Sequence, residues 1–285
     1  MLLFTLLGST LVFLPVPAFA YPEIPATIGC GQTITVRTTL IANIGPCTGN
    51  GLVIGANGIT LNCNGHKIRG TGAASGADGI LLYGYTGVRV ENCVVTGFDI
   101  GIFLRSSSSI VLTHNTADSN GCGICLYLSS FNTLTRNTAN SNTPGGGFEV
   151  YSSSTNTLKT NTADSNSEGF TLSSSNGNTL AGNTANGNEG GFFLDVSSSN
   201  TLNQNTANSN TIISGFYLFS SSSNTLTGNT ANSNNQYGYY DLTTSAYSNS
   251  PQWDTTNYYT GDMGSANVLG LAGGNPNMAT ATSPF

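Results

Sequence analysis

The chain has 285 residues, of which 7% are charged: 7 Lys and Arg against 13 Asp and Glu, for a net charge of −6. Ordinary soluble domains carry about 25% charged residues; here Ser, Thr and Asn take their place, while the apolar share, 38% before glycine is added, is unremarkable. These figures exclude charge-driven disorder, long helices and coiled coils, which need Lys, Glu and Arg in quantity, and nucleic-acid binding, which needs clustered cations.

Residues 2–16 form an apolar run shorter than a bilayer-spanning helix, and the A-x-A cleavage pattern Ala18-Phe19-Ala20 follows it. Residues 1–20 therefore read as a secretory signal peptide, with a mature chain from Tyr21. An N-terminal membrane anchor is the alternative, and the lack of Lys or Arg before the run leaves open a start upstream of Met1. No later segment is apolar enough to span a bilayer, so no membrane span is expected after signal removal. The expected location is secreted, periplasmic or at the cell surface.

Residues 21–58 are expected to cap the fold that follows. Six cysteines, Cys30, Cys47, Cys63, Cys93, Cys122 and Cys125, all lie in the first half. An even number in an exported chain is consistent with disulfides, and the expected pairs are Cys30 with Cys47 and Cys63 with Cys93. Cys122-Gly-Ile-Cys125 has the spacing of a redox pair or half a zinc site. His66 and His114 do not complete a ligand set, so a structural disulfide or two unpaired thiols is expected, and no metal site.

From residue 59 to 242 the sequence repeats every 22 to 24 residues. Asn-Thr-Leu-x-x-Asn-Thr-Ala-x-x-Asn begins at Asn132, Asn156, Asn178, Asn200 and Asn224. A second phrase, Gly followed by apolar, any, apolar, begins at Gly79, Gly101, Gly123, Gly147, Gly169, Gly191 and Gly215, with a frayed copy at Gly238. Helical repeats need 33 or so residues and helix formers, and a leucine-rich repeat needs a framework absent here. Three short strands per coil, each with period-2 alternation, predict an all-β parallel β-helix of about eight coils, stacked about 4.8 Å apart.

Alternation assigns the core. One inward column reads Ile80, Ile102, Ile124, Phe148, Phe170, Phe192, Phe216; its partner runs from Leu82 to Leu218, with Leu112 to Leu226 from the Asn-Thr-Leu strand and Ala117 to Ala231 at a tighter place. The change from Ile to Phe implies compensating space in the later coils. Asn115, Asn137, Asn161, Asn183, Asn205 and Asn229 are expected to form a buried amide ladder, donating to one neighbouring coil and accepting from the other.

These phrases resemble the repeats of right-handed parallel β-helix proteins of the NosD-like, pectate-lyase-like superfamily, and Cys63-Asn64-Gly65-His66-Lys67-Ile68 resembles a first coil of that family. The likeness covers roughly residues 30–245. It implies the right-handed solenoid; it implies no single activity, since the family includes polysaccharide lyases, hydrolases, epimerases, adhesins and periplasmic accessory proteins of copper enzymes, and the matching residues are core and corner positions.

Function on such a rod falls to outward residues. Along the Gly-initiated strand one outward column reads Leu81, Phe103, Cys125, Glu149, Thr171, Phe193, Tyr217, and the other Tyr83, Arg105, Tyr127, Tyr151, Ser173, Asp195, Phe219. Tyr83, Phe103, Tyr127, Tyr151, Phe193, Tyr217 and Phe219 are the candidate ligand contacts: aromatic faces suit sugar rings, and an exposed apolar patch marks a ligand, a partner or a covering segment. The expected partner is a polysaccharide or a surface protein, with self-association through the same face as the alternative.

Glu149, Asp195 and Arg105 are the charges on that face and the catalytic candidates. Glycoside hydrolysis needs carboxyl groups about 5–5.5 or 6.5–9.5 Å apart, whereas strand geometry puts Glu149 and Asp195 about 11 Å apart. Asp118 and Asp164 fall where other coils carry Asn and read as corner residues. Glu168 and Glu189 precede successive strands but fall short of the six to eight oxygens of a Ca²⁺ site. The family's lyases use acidic clusters for Ca²⁺ with a Lys or Arg base, for which the candidate is Lys159; its polygalacturonase-type hydrolases carry Asn-Thr-Asp, where this chain has Asn-Thr-Ala. The reading is therefore non-catalytic binding without a cofactor, with a lyase (and then Ca²⁺) or a hydrolase as the enzyme alternative. A structural, adhesive or ice-binding solenoid is a third reading, since Thr133, Thr157, Thr179, Thr201 and Thr225 form a regular column, although Thr also simply favours strands. Residues 243–285 break the repeat and are expected to close the open strand edge, with a loose tail.

Overall fold

The computed structural model describes residues 28–242 and a short strand at Tyr259–Thr260. The signal peptide expected at residues 1–20 lies outside the described residues, as does all of the cap expected at 243–285 except that strand, which pairs with Ala231–Asn232.

Among the described residues there is no helix, and every strand pairing is parallel. The chain winds through three faces. The first sheet has ten strands, from Gln32–Ile34 and Leu52–Ile54 through Asp78–Tyr83, Ile100–Arg105 and Cys122–Tyr127 to Tyr239–Leu242. The second has nine, from Thr38–Thr39 to Thr225–Thr227. The third has four, Ile44–Cys47, Lys67–Gly70, Val94–Thr96 and Thr116–Ala117, and continues as single bridges linking Thr116, Thr138, Thr162, Thr184, Thr206 and Thr230. Ten coils thus replace the expected eight: Gly51-Leu52-Val53-Ile54 is a further copy of the Gly-initiated phrase, in register with Gly79-Ile80-Leu81-Leu82, and Gln32–Ile34 joins the stack without one. The third strand of each later coil shrinks to one threonine, because Asn-Thr-Ala leaves little chain between two corners.

The expected columns stack in register: Ile102 pairs with Ile80 and Ile124, and Phe170 with Phe148 and Phe192, with both apolar columns buried throughout. Phe148, Phe170, Phe192 and Phe216 stack at 4.7–4.8 Å with their ring planes nearly parallel. The space the rings need comes from the third face, where Ile68 and Val95 give way in register to Ala117 and then to an alanine column. Glycine opposite those alanines is obligatory: a Cβ on Gly169 would lie 2.6 Å from both Ala185 Cβ and the Gly191 carbonyl oxygen.

The corners repeat with the same regularity. In each of six coils, four residues adopt left-handed backbone, φ between 47° and 65°, as at Leu128, Phe131, Arg136 and Ser141. Nearly every one precedes a buried residue of a polar ladder. In the expected asparagine ladder, Asn137 Nδ2 donates to Leu112 O and to Asn161 Oδ1, both at 3.0 Å, while Asn137 Oδ1 accepts from the backbone and side chain of Asn115. Two further ladders, Asn132 to Asn224 and Asn120 to Asn234, follow the same plan, and a serine ladder runs from Ser107 to Ser221. Cys30–Cys47 and Cys63–Cys93 are disulfides, as expected, and so is Cys122–Cys125.

Candidate functional site

The outer face of the first sheet carries the two aromatic columns. Parallel pairing sets Tyr83, Arg105, Tyr127 and Tyr151 side by side, then Ser173, Asp195 and Phe219; the neighbouring column sets Leu81, Phe103, Cys125, Glu149, Thr171, Phe193 and Tyr217 in order. Tyr83, Tyr127 and Phe219 are 58%, 42% and 41% exposed, while Phe103, Tyr151, Phe193 and Tyr217 are half-buried. Arg105 lies over the Tyr83 ring at 5.2 Å, a cation–π contact. Phe193 stacks on Tyr217 at 5.1 Å, and Tyr217 on Tyr240 at 5.3 Å. The aromatic candidates therefore form two groups, one at Tyr83–Tyr151 and one at Phe193–Phe219, with Thr171 and Ser173 between them.

The three charged candidates do not converge. Glu149 and Asp195 stand in different columns, two coils apart, and Arg105 sits with Tyr83. Glu149 is the most constrained: its Oε1 accepts from the Gly146 N–H at 2.7 Å, and the Tyr151 hydroxyl donates to its carboxylate. Burial, with the Glu149 and Glu168 carboxylates nearby, pushes the Tyr151 phenol up to about 12, so it stays a proton donor at any physiological pH. Burial, reinforced by Glu149 and Glu189, also raises Glu168 above the usual carboxylate range. Burial is again the first cause for Tyr217, with Tyr240 and Asp195 beside it.

Sequence reasoning missed Asp78. It opens the Asp78–Tyr83 strand, in register with Ile100, and burial first, then the Asp99 carboxylate, push it up to about 6 against the opposing pull of Arg105. The signal was present as position: Asp78, Ile100, Cys122 and Glu168 each immediately precede the repeated glycine. Asp118 and Asp164 behave as the corner residues expected, accepting from the Asn140 and Asn186 N–H groups at 2.7 and 2.8 Å. The second-sheet threonines Thr133, Thr157, Thr179, Thr201 and Thr225 also stand in register.

Among the described residues, one group of three potential metal-ligating side chains converges: Cys122, Cys125 and Glu149, with ligand atoms within 4.8 Å of one another. Joined as a disulfide, the two cysteines offer no thiolate. His114 is exposed and hydrogen-bonded to Thr113, outside that group.

Residues 28–185, more than half of the chain, match the family described as "Right handed beta helix region", and residues 139–268 match "Periplasmic copper-binding protein (NosD)". The oxidised donor set above does not fit copper, and no step is assigned to it. The periplasmic alginate epimerase AlgG shares the fold with a TM-score of 0.54 at 16% identity, over 73% of this chain and 66% of that one. The DFA-IIIase of Arthrobacter chlorophenolicus in complex with GF2 gives 0.52 at 12% identity, over 67% of this chain, which spans 55% of that enzyme. No curated protein sequence matches the chain.

Proposed function

The chain belongs to the right-handed β-helix family, and on that premise we propose that it is an exported protein that binds a polysaccharide along the outer face of its first sheet without cleaving it. The observation that carries this reading is the pair of aromatic columns held in register on that face, three of whose members are more than 40% exposed. Stacked coils repeat about every 4.8 Å, so the columns offer an extended chain a series of flat apolar surfaces, with hydroxyls of Tyr, Ser and Thr between them. Three disulfides fit an oxidising compartment outside the cytosol. Carbohydrate-active proteins of the same fold, an alginate epimerase among them, support a saccharide as the class of partner.

The non-catalytic part of the reading rests on the scattered carboxylates. Glu149 is already held by Gly146 and Tyr151, and Asp195 stands two coils away in the other column. A glycan array tests binding, and reducing-end and unsaturated-product assays on each hit test cleavage. The expected result is a glycan hit with no product. Product formation abolished by Glu149→Gln or Asp195→Asn would replace binding with catalysis. A blank array, with Tyr127→Ala or Tyr217→Ala changing only oligomer size, would make the face an assembly interface.

A further inference from the structure

The three disulfides are not alike. Cys30–Cys47 and Cys63–Cys93 close loops of 17 and 30 residues and tie neighbouring coils, so they constrain the unfolded chain appreciably. Cys122 and Cys125 are three apart in a single strand, already positioned by pairing on both sides, so their bond adds little to that constraint. Nor do they belong to the apolar interior. Cys125 stands in the outward column between Phe103 and Glu149, and Cys122 in register with Ile100, yet the two are only 4% and 6% exposed.

Their cover is local. The coil from Gly123 to Gly147 is two residues longer than its neighbours, and the extra length is the turn at residues 143–146. Gly145 N–H donates to Gly121 O at 2.8 Å, which lays this turn against the residue before Cys122. Gly146 N–H then fixes Glu149 Oε1, leaving Oε2 3.5 Å from Cys125 Sγ. A Cβ at Gly145 would lie 3.0 Å from Glu149 Oε1 and 2.5 Å from Gly121 O, so the turn closes this tightly only with glycine there. A lengthened coil, two glycines and an anchored carboxylate thus converge on a sulfur pair whose structural value is small.

We propose that Cys122, Cys125 and Glu149 form a redox-gated site for a single thiophilic divalent cation of the Zn²⁺ class. In the oxidised state the site is closed. A dithiol donor opens it by thiol–disulfide exchange: two electrons pass from the donor, the Cys122–Cys125 S–S bond breaks, the two cysteines leave as thiols, and the donor closes its own disulfide. The cation then binds both sulfurs as thiolates and the Glu149 carboxylate, and the two thiol protons pass to solvent. Two sulfurs and one oxygen leave one position of a tetrahedral cation open, as in exchangeable rather than purely structural zinc sites. The oxygen ligand favours Zn²⁺ over Cu⁺, which selects all-sulfur sets. Tyr151, hydrogen-bonded to Glu149, and Gly146 form the outer shell that orients the carboxylate.

The test uses the full chain, reduced by a dithiol and freed of it without air, then equilibrated with Zn²⁺ and desalted. One zinc per chain is expected after reduction and none before it; Co²⁺ in its place gives a thiolate-to-metal absorption band. Glu149→Gln is expected to weaken zinc binding at least tenfold while keeping that band, and Cys122→Ser/Cys125→Ser to abolish both. Zinc retained equally by the double variant, which keeps the other two cysteine pairs, would overturn the proposal. So would a reduced wild-type chain that holds no zinc while its free-thiol titre shows the pair open. Because the dithiol can also open Cys30–Cys47 and Cys63–Cys93, zinc is assigned to this pair by the difference between reduced wild type and the reduced double variant, with an unchanged β-sheet circular dichroism spectrum showing that the variant is folded.

Discussion

At the scale of single residues, this fold spends its polar side chains on corners. A non-glycine residue in left-handed backbone is strained by about 1–2 kcal/mol, and five of the six coils carry three or four, the other having glycine at Gly177, Gly182 and Gly187 instead. The ladder residue that follows offsets that strain by satisfying backbone groups that the corner turns away from the sheets. Asn161→Ala would orphan the buried Asn137 N–H, take away one of the two acceptors of the Asn137 side-chain amide, and remove the amide that donates to the Leu134 carbonyl. At roughly 1–3 kcal/mol per buried unsatisfied group, a loss of about 3 kcal/mol or more in denaturant unfolding is expected, against little change for Asp118→Asn, whose corner accepts either side chain. Val196 provides the opposite case: a β-branched residue at φ 49°, 53% exposed, where neighbouring coils carry Ser. Val196→Asn, which tolerates that backbone, should stabilise the chain by about 1 kcal/mol. The Asn column was legible in the sequence because its members recur every coil; the strain at Val196 was not, since a corner is defined by its backbone and a lone exception has no pattern.

Element by element, pattern and structure agree where the sequence repeats and part where it does not. Gly-initiated and Asn-Thr-Leu strands could be read because each copy supports the next. The strand at Gln32–Ile34 could not, since nothing in Gln-Thr-Ile distinguishes a coil from a cap, whereas Gly51-Leu52-Val53-Ile54 carries the Gly-initiated phrase and was legible as one more copy of it. The glycine that begins each strand is the fold's tightest point. Gly169→Ala would drive a methyl group to 2.6 Å from Ala185 and the Gly191 carbonyl; the coils must part there, and a loss of at least about 3 kcal/mol, the upper range for forced overpacking, is expected in thermal or denaturant unfolding. Asp78 shows what repetition conceals. Its usual value, which the unfolded chain keeps, is 3.8, and it rises to about 6 in the fold. Between those values the folded state holds the extra proton, so the contribution of Asp78 to stability is fully present below pH 3.8 and is lost as pH rises through about 6. Asp78→Asn should remove that loss and raise the unfolding midpoint above pH 7 while leaving it nearly unchanged in acid. Its environment arises from Asp99 and Arg105 in the next coil, which a column by column reading of the sequence does not bring together.

On the scale of the whole molecule, the low charge follows from repetition. A charged side chain in a column meets its own copy about 4.8 Å away, so the columns fill with Asn, Ser, Thr and apolar residues, and charges survive as isolated breaks such as Arg105, Glu149 and Asp195. Placing these three on one face was within reach of the sequence; seeing that Glu149 is held by a lengthened turn beside a disulfide required the coordinates, because the turn's role depends on which coil it folds over. What remains on that face is aromatic and neutral, and binding to it should depend weakly on salt. The direct test is titration of the best array glycan into the wild-type chain, Tyr127→Ala and, as a control on the second sheet, Thr201→Ala. Saturable binding is predicted, at least tenfold weaker for Tyr127→Ala and unchanged for Thr201→Ala. Equal affinity in all three chains would contradict recognition along the aromatic face.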